Sequence, residues 1–231
     1  MRELVILMLI TVALAWCADH VAFGPVNPNR RHRLIFCTLL IIILLAGFAG
    51  LRTRCNDTGA YRHAYELITE NSWDVADKTI GANPLFKWIN YHLKLHGVST
   101  QNYLMFWAFL TVACYIVFVH GCSANYWLTI FLLFTTGCYT FAFAGIKQAA
   151  AVGVSVIAVM LALKKKWVLF IASVLVASLI HPYALMYLLV PLMEFCPWSN
   201  KTYWMLAIFL MAGFFLSPLI GTVVNITTLL G

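Results

Sequence analysis

Charged residues are scarce in this chain of 231 residues. Asp, Glu, Lys and Arg together make up 10% of it, while hydrophobic residues make up 63%. Soluble domains carry about 25% charged residues, so the composition excludes a soluble protein and indicates a polytopic membrane protein. The formal net charge of +7 comes without a nucleic-acid-binding motif, and we attribute it to loops that set the topology and meet anionic lipid headgroups. We expect the lipid bilayer, and no nucleic acid, as a partner.

Several motifs that carry chemistry are also missing. The seven cysteines are scattered without a CxxC pair, and the histidines and acids lack the spacing of metal ligands. The sequence contains no DxD motif for a nucleotide sugar and its metal, no GxSxG motif of a serine hydrolase and no P-loop for ATP. These absences argue against several enzyme classes and lead us to expect no metal and no other cofactor.

Apolar runs dominate the chain. Spanning a membrane usually takes about 20 residues, so the shorter runs must recruit flanking residues. Their number predicts an all-α transmembrane bundle of about seven or eight membrane segments, which we treat as a single membrane domain over residues 1–231. The run 183–195 is the least secure because it follows Pro182, and it fits either a full crossing or a half-helix that re-enters from outside. The runs are 4–18, 34–50, 103–119, 127–144, 149–163, 167–181, 183–195 and 203–219.

Two basic clusters predict the topology. One contains Arg30, Arg31 and Arg33, and the other is the run Lys164–Lys166. Short loops rich in Lys and Arg stay in the cytoplasm, so the N-terminus is predicted to be outside. Charged groups at membrane depth cost about 2.5–3.5 kcal/mol on insertion scales and tend to be functional. Counting crossings from the clusters brings several polar residues to the outer face, where we expect a site. They are Arg52, Arg54, Asp57, Lys147, Gln148 and His181.

The long polar connection over residues 51–101 falls on the outer side. Thr58 is placed to cap a first short helix there. A second helix is predicted to begin with Asn83 as its N-cap and Pro84 in its first turn, and to stop at Gly97. Its apolar and polar residues separate onto two faces, so we expect an amphipathic helix on the membrane surface and a lid-like loop. The apolar face holds Leu85, Trp88, Ile89 and Leu93, and the polar face holds Lys87, Asn90 and Lys94.

Three positions on the outer face are candidates for chemistry. Arg52, Arg54 and Asp57 follow a membrane helix, and arginine binds phosphate through paired hydrogen bonds while a carboxylate can take a proton from a sugar hydroxyl. Lys147 lies in a tight turn at a helix start, which suits an anion. His181 ends an apolar run, and a histidine suits a base or a hydrogen-bond donor. Each position taken alone is better explained as an interface anchor or a satisfied helix-end histidine. Their shared face favours a common site.

The order of these residues makes the chain similar to the EpsG family of bacterial exopolysaccharide polymerases, which are Wzy-like. The resemblance covers about residues 34–195. The family shows an arginine after an early membrane helix and an Asp-Thr-x-x-Tyr stretch, then an external segment leading into a helix. An Arg-Gln pair then begins a helix rich in small residues, and a histidine ends a later helix. The matching positions are Arg52, Asp57 to Tyr61, Asn83 to Thr111, Lys147 with Gln148, and His181.

The chain departs from the family pattern at two places. Lys147 stands where the family has arginine, which keeps the charge but loses the bidentate geometry. Cys55 and Asn56 stand where the family has Gly-Thr, so we expect a different backbone shape before Asp57. At 231 residues the chain is also shorter than such proteins usually are, which predicts a short or truncated member.

The resemblance implies a membrane glycosyltransferase. Its reaction would join oligosaccharide repeat units carried on undecaprenyl diphosphate into exopolysaccharide, capsule or O-antigen, without a metal or other cofactor. The resemblance also implies a multi-pass protein of the bacterial cytoplasmic (inner) membrane, with its active face external or periplasmic and with other polysaccharide-assembly membrane proteins as partners. The implied catalytic residues are Arg52, Asp57 and His181, and the implied substrate-binding residues are Arg54, Tyr61, Lys147 and Gln148.

Two other functions compete with this interpretation. A small membrane carrier or flippase for a lipid-linked or anionic solute would also line an external vestibule with Arg, Lys and His. Such a protein needs access from both sides, and the cytoplasmic loops lack a comparable mix of acids and histidines. A membrane-bound acyltransferase with His181 as its base would need an acyl-donor site facing the cytoplasm, and the sequence offers none.

Overall fold

A computed structural model describes residues 2–20, 30–52, 55–69 and 83–191, with isolated residues between 199 and 211. The chain divides into two compact units, Met1–Leu188 and Leu189–Gly231. All elements in the described residues are helical, as predicted. They are α1 (Arg2–His20), α2 (Arg30–Gly50), α3 (Thr58–Glu66), α4 (Pro84–Leu95), α5 (Thr100–Cys122), α6 (Tyr126–Thr135), α7 (Cys138–Ala144), α8 (Ile146–Leu163), α9 (Trp167–Ile180) and a 3-10 helix, Pro182–Leu189.

The helices of the first unit pack around α5. Helix α5 contacts α2 on one side and α8 on another, while α8 also packs against α9, and α1 packs against α2 and α6. The face of α8 toward α5 is built from small residues, which let membrane helices approach closely. A Cβ added at Gly153 would lie 3.2 Å from the Cβ of Cys114 on α5. The glycine therefore sets how near α8 and α5 can come.

Two helices, Thr100–Cys122 and Ile146–Leu163, are long and apolar enough to cross a membrane. The pair α6 and α7 makes a third candidate if the two helices together form one bent span. Leu34–Gly50 and Trp167–Ile180 are shorter apolar helices. These helices indicate a membrane protein. The predicted total of seven or eight segments stays a prediction, and the predicted run 203–219 lies largely outside the described residues.

The predicted apolar run 127–144 is not one straight helix. Helices α6 and α7 meet at an angle of 47°, and Gly137 between them has a φ of +80°. This left-handed conformation costs an L-residue with a side chain about 1–2 kcal/mol, so glycine is the residue that permits the break. Hydropathy alone missed the bend, because the apolar character continues through it.

The first helix in the polar connection over residues 51–101 is α3, whose N-cap is Asp57 and not Thr58 as predicted. Thr58 is instead the first residue of the helix, and its side chain is fully buried. Asn56, just before Asp57, has a φ of +35°. Asparagine tolerates the left-handed region better than most residues do.

Helix α4 confirms its predicted boundaries. Asn83 is the N-cap and Pro84 the first residue, and the chain turns at Gly97 with a φ of +69°. The predicted faces are partly wrong, because Asn90 is buried together with Phe86 while Trp88 is exposed. The buried amide is satisfied, and α4 packs on α9, so this face of α4 is turned toward protein.

Candidate functional site

Arg52 lies just beyond the end of α2 and is held by three hydrogen bonds. Its Nε donates to Thr58 Oγ1 over 3.0 Å, and its Nη1 donates to the carbonyl oxygens of Ala49 at 2.9 Å and Ala142 at 3.3 Å. The guanidinium carbon also lies 5.9 Å from the ring centroid of Phe143, within cation–π range. These bonds tie the start of α3, the end of α2 and α7 to one cation.

The charge of Arg52 has no counter-ion in the described part of the chain. No carboxylate there lies within ion-pair distance, and Nη2 has no hydrogen-bond partner among the described residues. Burial lowers the pKa of the guanidinium, but arginine keeps its charge at neutral pH. A fixed, partly desolvated cation with a spare donor edge is suited to bind an anion.

An open groove of about 970 Å³ lies beside Arg52. Its polar lining includes Arg52, Asn56 and Thr140, and its apolar lining includes Phe48 and Phe141. Asp57, the N-cap of α3, follows the lining residue Asn56 directly in the chain and is exposed. The groove therefore combines a cation with an apolar wall.

Tyr61 joins α3 to the start of α8. Its hydroxyl lies 3.4 Å from Oε1 of Gln148, and its side chain is 3% exposed. Burial, together with the negative charge of Asp57, raises the pKa of Tyr61 to about 12. The phenol therefore stays protonated at neutral pH and acts as a hydrogen-bond donor. Gly145 leaves room for this arrangement, because a Cβ there would clash with the side-chain amide of Gln148.

His181 caps the C-terminal end of α9 and is 9% exposed. Burial lowers its pKa, and the positive charge of Lys147 lowers it further. The imidazole is therefore neutral at pH 7. The backbone N–H of Tyr183 lies 3.4 Å from Nδ1, which favours the tautomer with its proton on Nε2. In that state Nε2 carries the proton and can donate a hydrogen bond.

An aromatic cluster packs beneath these residues. Tyr65 and Tyr103 stack with their ring centroids 4.2 Å apart, and Trp107 packs on Phe86 at 4.7 Å. Trp107 Nε1 also donates to Oδ1 of Asn90 over 2.9 Å. Rings locked by stacking and hydrogen bonding give the site a rigid floor.

The sequence-predicted residues fall at one end of the bundle in the first unit. Gln101 Nε2 donates to the carbonyl of Gly50 there, whereas the N–H of Trp127 donates to Asp19 at the opposite end. The described residues show no hydrogen bond between Asp57 and His181, and the roles expected for the two residues stay predictions. Arg54 lies outside the described residues. The residues found at this end are Arg52, Asp57, Tyr61, Lys147, Gln148 and His181.

Sequence reasoning missed two supporting residues. Thr58 accepts from Arg52, and Gly145 makes room for Gln148. Thr58 belongs to the Asp-Thr-x-x-Tyr stretch, which was the available signal for it. Gly145 carried no signal, since only the folded turn shows the close approach. The described residues contain no group of three or more His, Cys, Asp or Glu that could hold a metal ion.

Comparison with known proteins gives one family. The sequence model described as the EpsG family matches residues 34–230. Searches of curated proteins and of solved structures gave no significant match to this chain.

Proposed function

The chain belongs to the EpsG family, and we propose that it polymerises lipid-linked oligosaccharide repeat units at the outer face of a bacterial cytoplasmic membrane. Family membership suggests a role in exopolysaccharide biosynthesis. Polymerisation, the undecaprenyl-diphosphate carrier and the outer face are the parts that we propose.

The fixed cation of Arg52 is the observation that carries the proposal. Its guanidinium is anchored by Thr58, Ala49 and Ala142 and has no counter-ion in the described residues. It opens on a groove whose other walls are largely apolar. A lipid diphosphate matches both features, since its anionic head needs a cation and its hydrocarbon chain needs an apolar path.

The proposed reaction is a glycosyl transfer between two carriers. The hydroxyl oxygen of the acceptor unit forms a bond to the anomeric carbon of the donor unit while the bond from that carbon to the diphosphate breaks. The electron pair leaves with the diphosphate, and Arg52 and Lys147 neutralise the charge that develops there. The hydroxyl proton passes to a base.

We assign the base to Asp57 and a positioning role to His181. Asp57 is exposed and directly follows Asn56, which lines the groove. His181 in its favoured tautomer presents an N–H and not a lone pair, so it would donate to a substrate oxygen. If His181 were the base, it would need the other tautomer and would lose the hydrogen bond from the backbone N–H of Tyr183. Tyr61 and Gln148, joined to each other, would hold sugar hydroxyls.

Cells that make the polymer test this function. Lys147→Ala should abolish long polymer, while Lys147→Arg should be tolerated because the charge is kept. Lys164→Ala, in the basic run at the other end of α8, is the matched control and should leave the polymer unchanged. In the Lys147→Ala cells, single lipid-linked repeat units should accumulate at the outer face of the membrane. Accumulation confined to the cytoplasmic face would favour the carrier instead.

Labelling of intact cells tests the proposed face. In a cysteine-free background, Ala60→Cys on the exposed side of α3 should react with an impermeant maleimide, and Lys165→Cys should not. Both positions are exposed in the structure. The reverse pattern would turn the site toward the cytoplasm and exclude an outer-face polymerase.

A further inference from the structure

Two grooves meet at the break between α6 and α7. The first is the groove of about 970 Å³ beside Arg52. The second has a volume of about 510 Å³ and lies among α5, α6, α7 and α8. Gly137 and Phe141 line both of them. The grooves are therefore neighbours that share a wall at the 47° bend.

The second groove offers hydrocarbon on nearly all sides. The hydroxyls of Thr129 and Thr136 donate to carbonyl oxygens four residues earlier in the chain, over 2.9 and 2.6 Å. Because their donors are used within their own helix, these threonines add little polar character. Phe118, Val152 and Val156 supply other walls. Such a lining suits an apolar chain and not a sugar.

The two grooves differ in charge as well as in polarity. Arg52 and Asn56 belong to the first groove alone, and the residues lining the second carry no charge. A ligand that occupied both would need an anionic group at one end and an extended hydrocarbon chain on the other side of the shared wall. Isoprenoid diphosphates have an anionic head at one end and a long hydrocarbon chain at the other.

We propose that the second groove binds the isoprenoid chain of the lipid-linked substrate while Arg52 binds its diphosphate. The inference rests on the proposed function, which supplies a substrate of this chemistry. The isoprenoid chain of the substrate passes over Gly137 and Phe141 from the first groove to the second. The bend at Gly137 thus marks where the substrate changes from polar head to apolar tail.

Photolabelling of the purified full-length protein in nanodiscs tests the groove directly. The probe is a polyprenyl diphosphate with a diazirine near the far end of its chain. We expect label on the peptides of α6 and α8 that line the second groove. Excess unlabelled polyprenyl diphosphate should displace it, whereas the polyprenol without the diphosphate should not. Label spread over α1 or α9, or equal displacement by the polyprenol, would overturn the proposal.

A matched pair of variants sharpens the test. Leu132 lines the second groove and is 44% exposed, while Leu128 lies one turn earlier on α6, is 37% exposed and does not line it. Leu132→Trp fills part of the groove, and we expect it to lower the groove label about tenfold. Leu128→Trp adds the same ring outside the groove and should leave the label unchanged. An equal effect of both substitutions would contradict the assignment.

The labelling needs no turnover, so the two proposals fail separately. Groove labelling by a protein that makes no polymer would support the groove and reject the polymerase. Polymer formation without groove labelling would reject the groove and leave the polymerase standing.

Discussion

Arg52 Nε donates to Thr58 Oγ1 over 3.0 Å, and this bond fixes the guanidinium between the end of α2 and the first turn of α3. Thr58 is fully buried, so its hydroxyl is shielded from water. A hydrogen bond to a charged group contributes about 1.5–3 kcal/mol. The pair therefore sets where the proposed diphosphate ligand sits.

Thr58→Val keeps the shape of the side chain and removes the acceptor. We expect polymer formation to fall about tenfold or more because the guanidinium loses its position. Thr58→Ser restores an acceptor and should recover most of the activity. Polymer length on a gel gives the readout. Thr100→Val removes an exposed bond to Glu66 on the same connection and is the control. Equal effects of Thr58→Val and Thr100→Val would mean that Thr58 does not position Arg52.

Asp57→Asn tests the base. The amide keeps the shape of the carboxylate but cannot take the proton, so we expect a loss of about 100- to 10,000-fold in the rate of polymerisation with little change in folding. His181→Gln retains an N–H donor and should be milder. Initial rates of polymerisation for the two variants show which residue is the base, and thermal unfolding shows whether both variants are folded. A severe His181→Gln beside a mild Asp57→Asn would make His181 the base, and two unchanged polymer ladders would reject the site.

Lys147 lowers the pKa of His181 because the two positive charges repel, in addition to the larger effect of burial. Lys147→Gln removes that repulsion, so the pKa of His181 should move up toward its ordinary value of 6.5. An NMR titration of labelled histidine in the purified protein measures the shift. Lys164→Gln should leave the titration unchanged. A pKa that stays fixed in Lys147→Gln would show that the two side chains do not interact.

Gly145→Ala tests the packing around Gln148. A Cβ at this position would clash with the amide of Gln148, whose Oε1 faces the Tyr61 hydroxyl. We expect the substitution to displace the amide and to reduce polymer formation with little loss of stability, because the end of a flexible side chain can move aside. Gly59→Ala on α3 meets nothing within 4 Å and serves as the control. Polymer yield is the readout, and a yield equal to that of Gly59→Ala would show that the position of the Gln148 amide does not matter for the reaction.

The order of the short motifs predicts the family, and the basic loops and apolar runs predict that the candidate residues share one end, because both leave strong signals in the sequence. The details that depend on three-dimensional contact were missed. Asn90 looked like a surface residue, yet it lies buried and accepts from Trp107. Thr58 looked like a helix cap, yet it accepts from Arg52. The bend at Gly137 left no signal in hydropathy, since glycine is common in membrane helices.

Polymerisation in reconstituted vesicles tests the role of Arg52 most directly. The protein is placed in lipid vesicles with a repeat unit linked to a polyprenyl diphosphate, and the product lengths are read on a gel. The wild-type protein should give a ladder of long products. Arg52→Gln, which removes the charge and keeps a donor, should leave single units. A wild-type protein that moves the unit across the bilayer without lengthening it, or an Arg52→Gln ladder equal to wild type, would contradict the proposed polymerase.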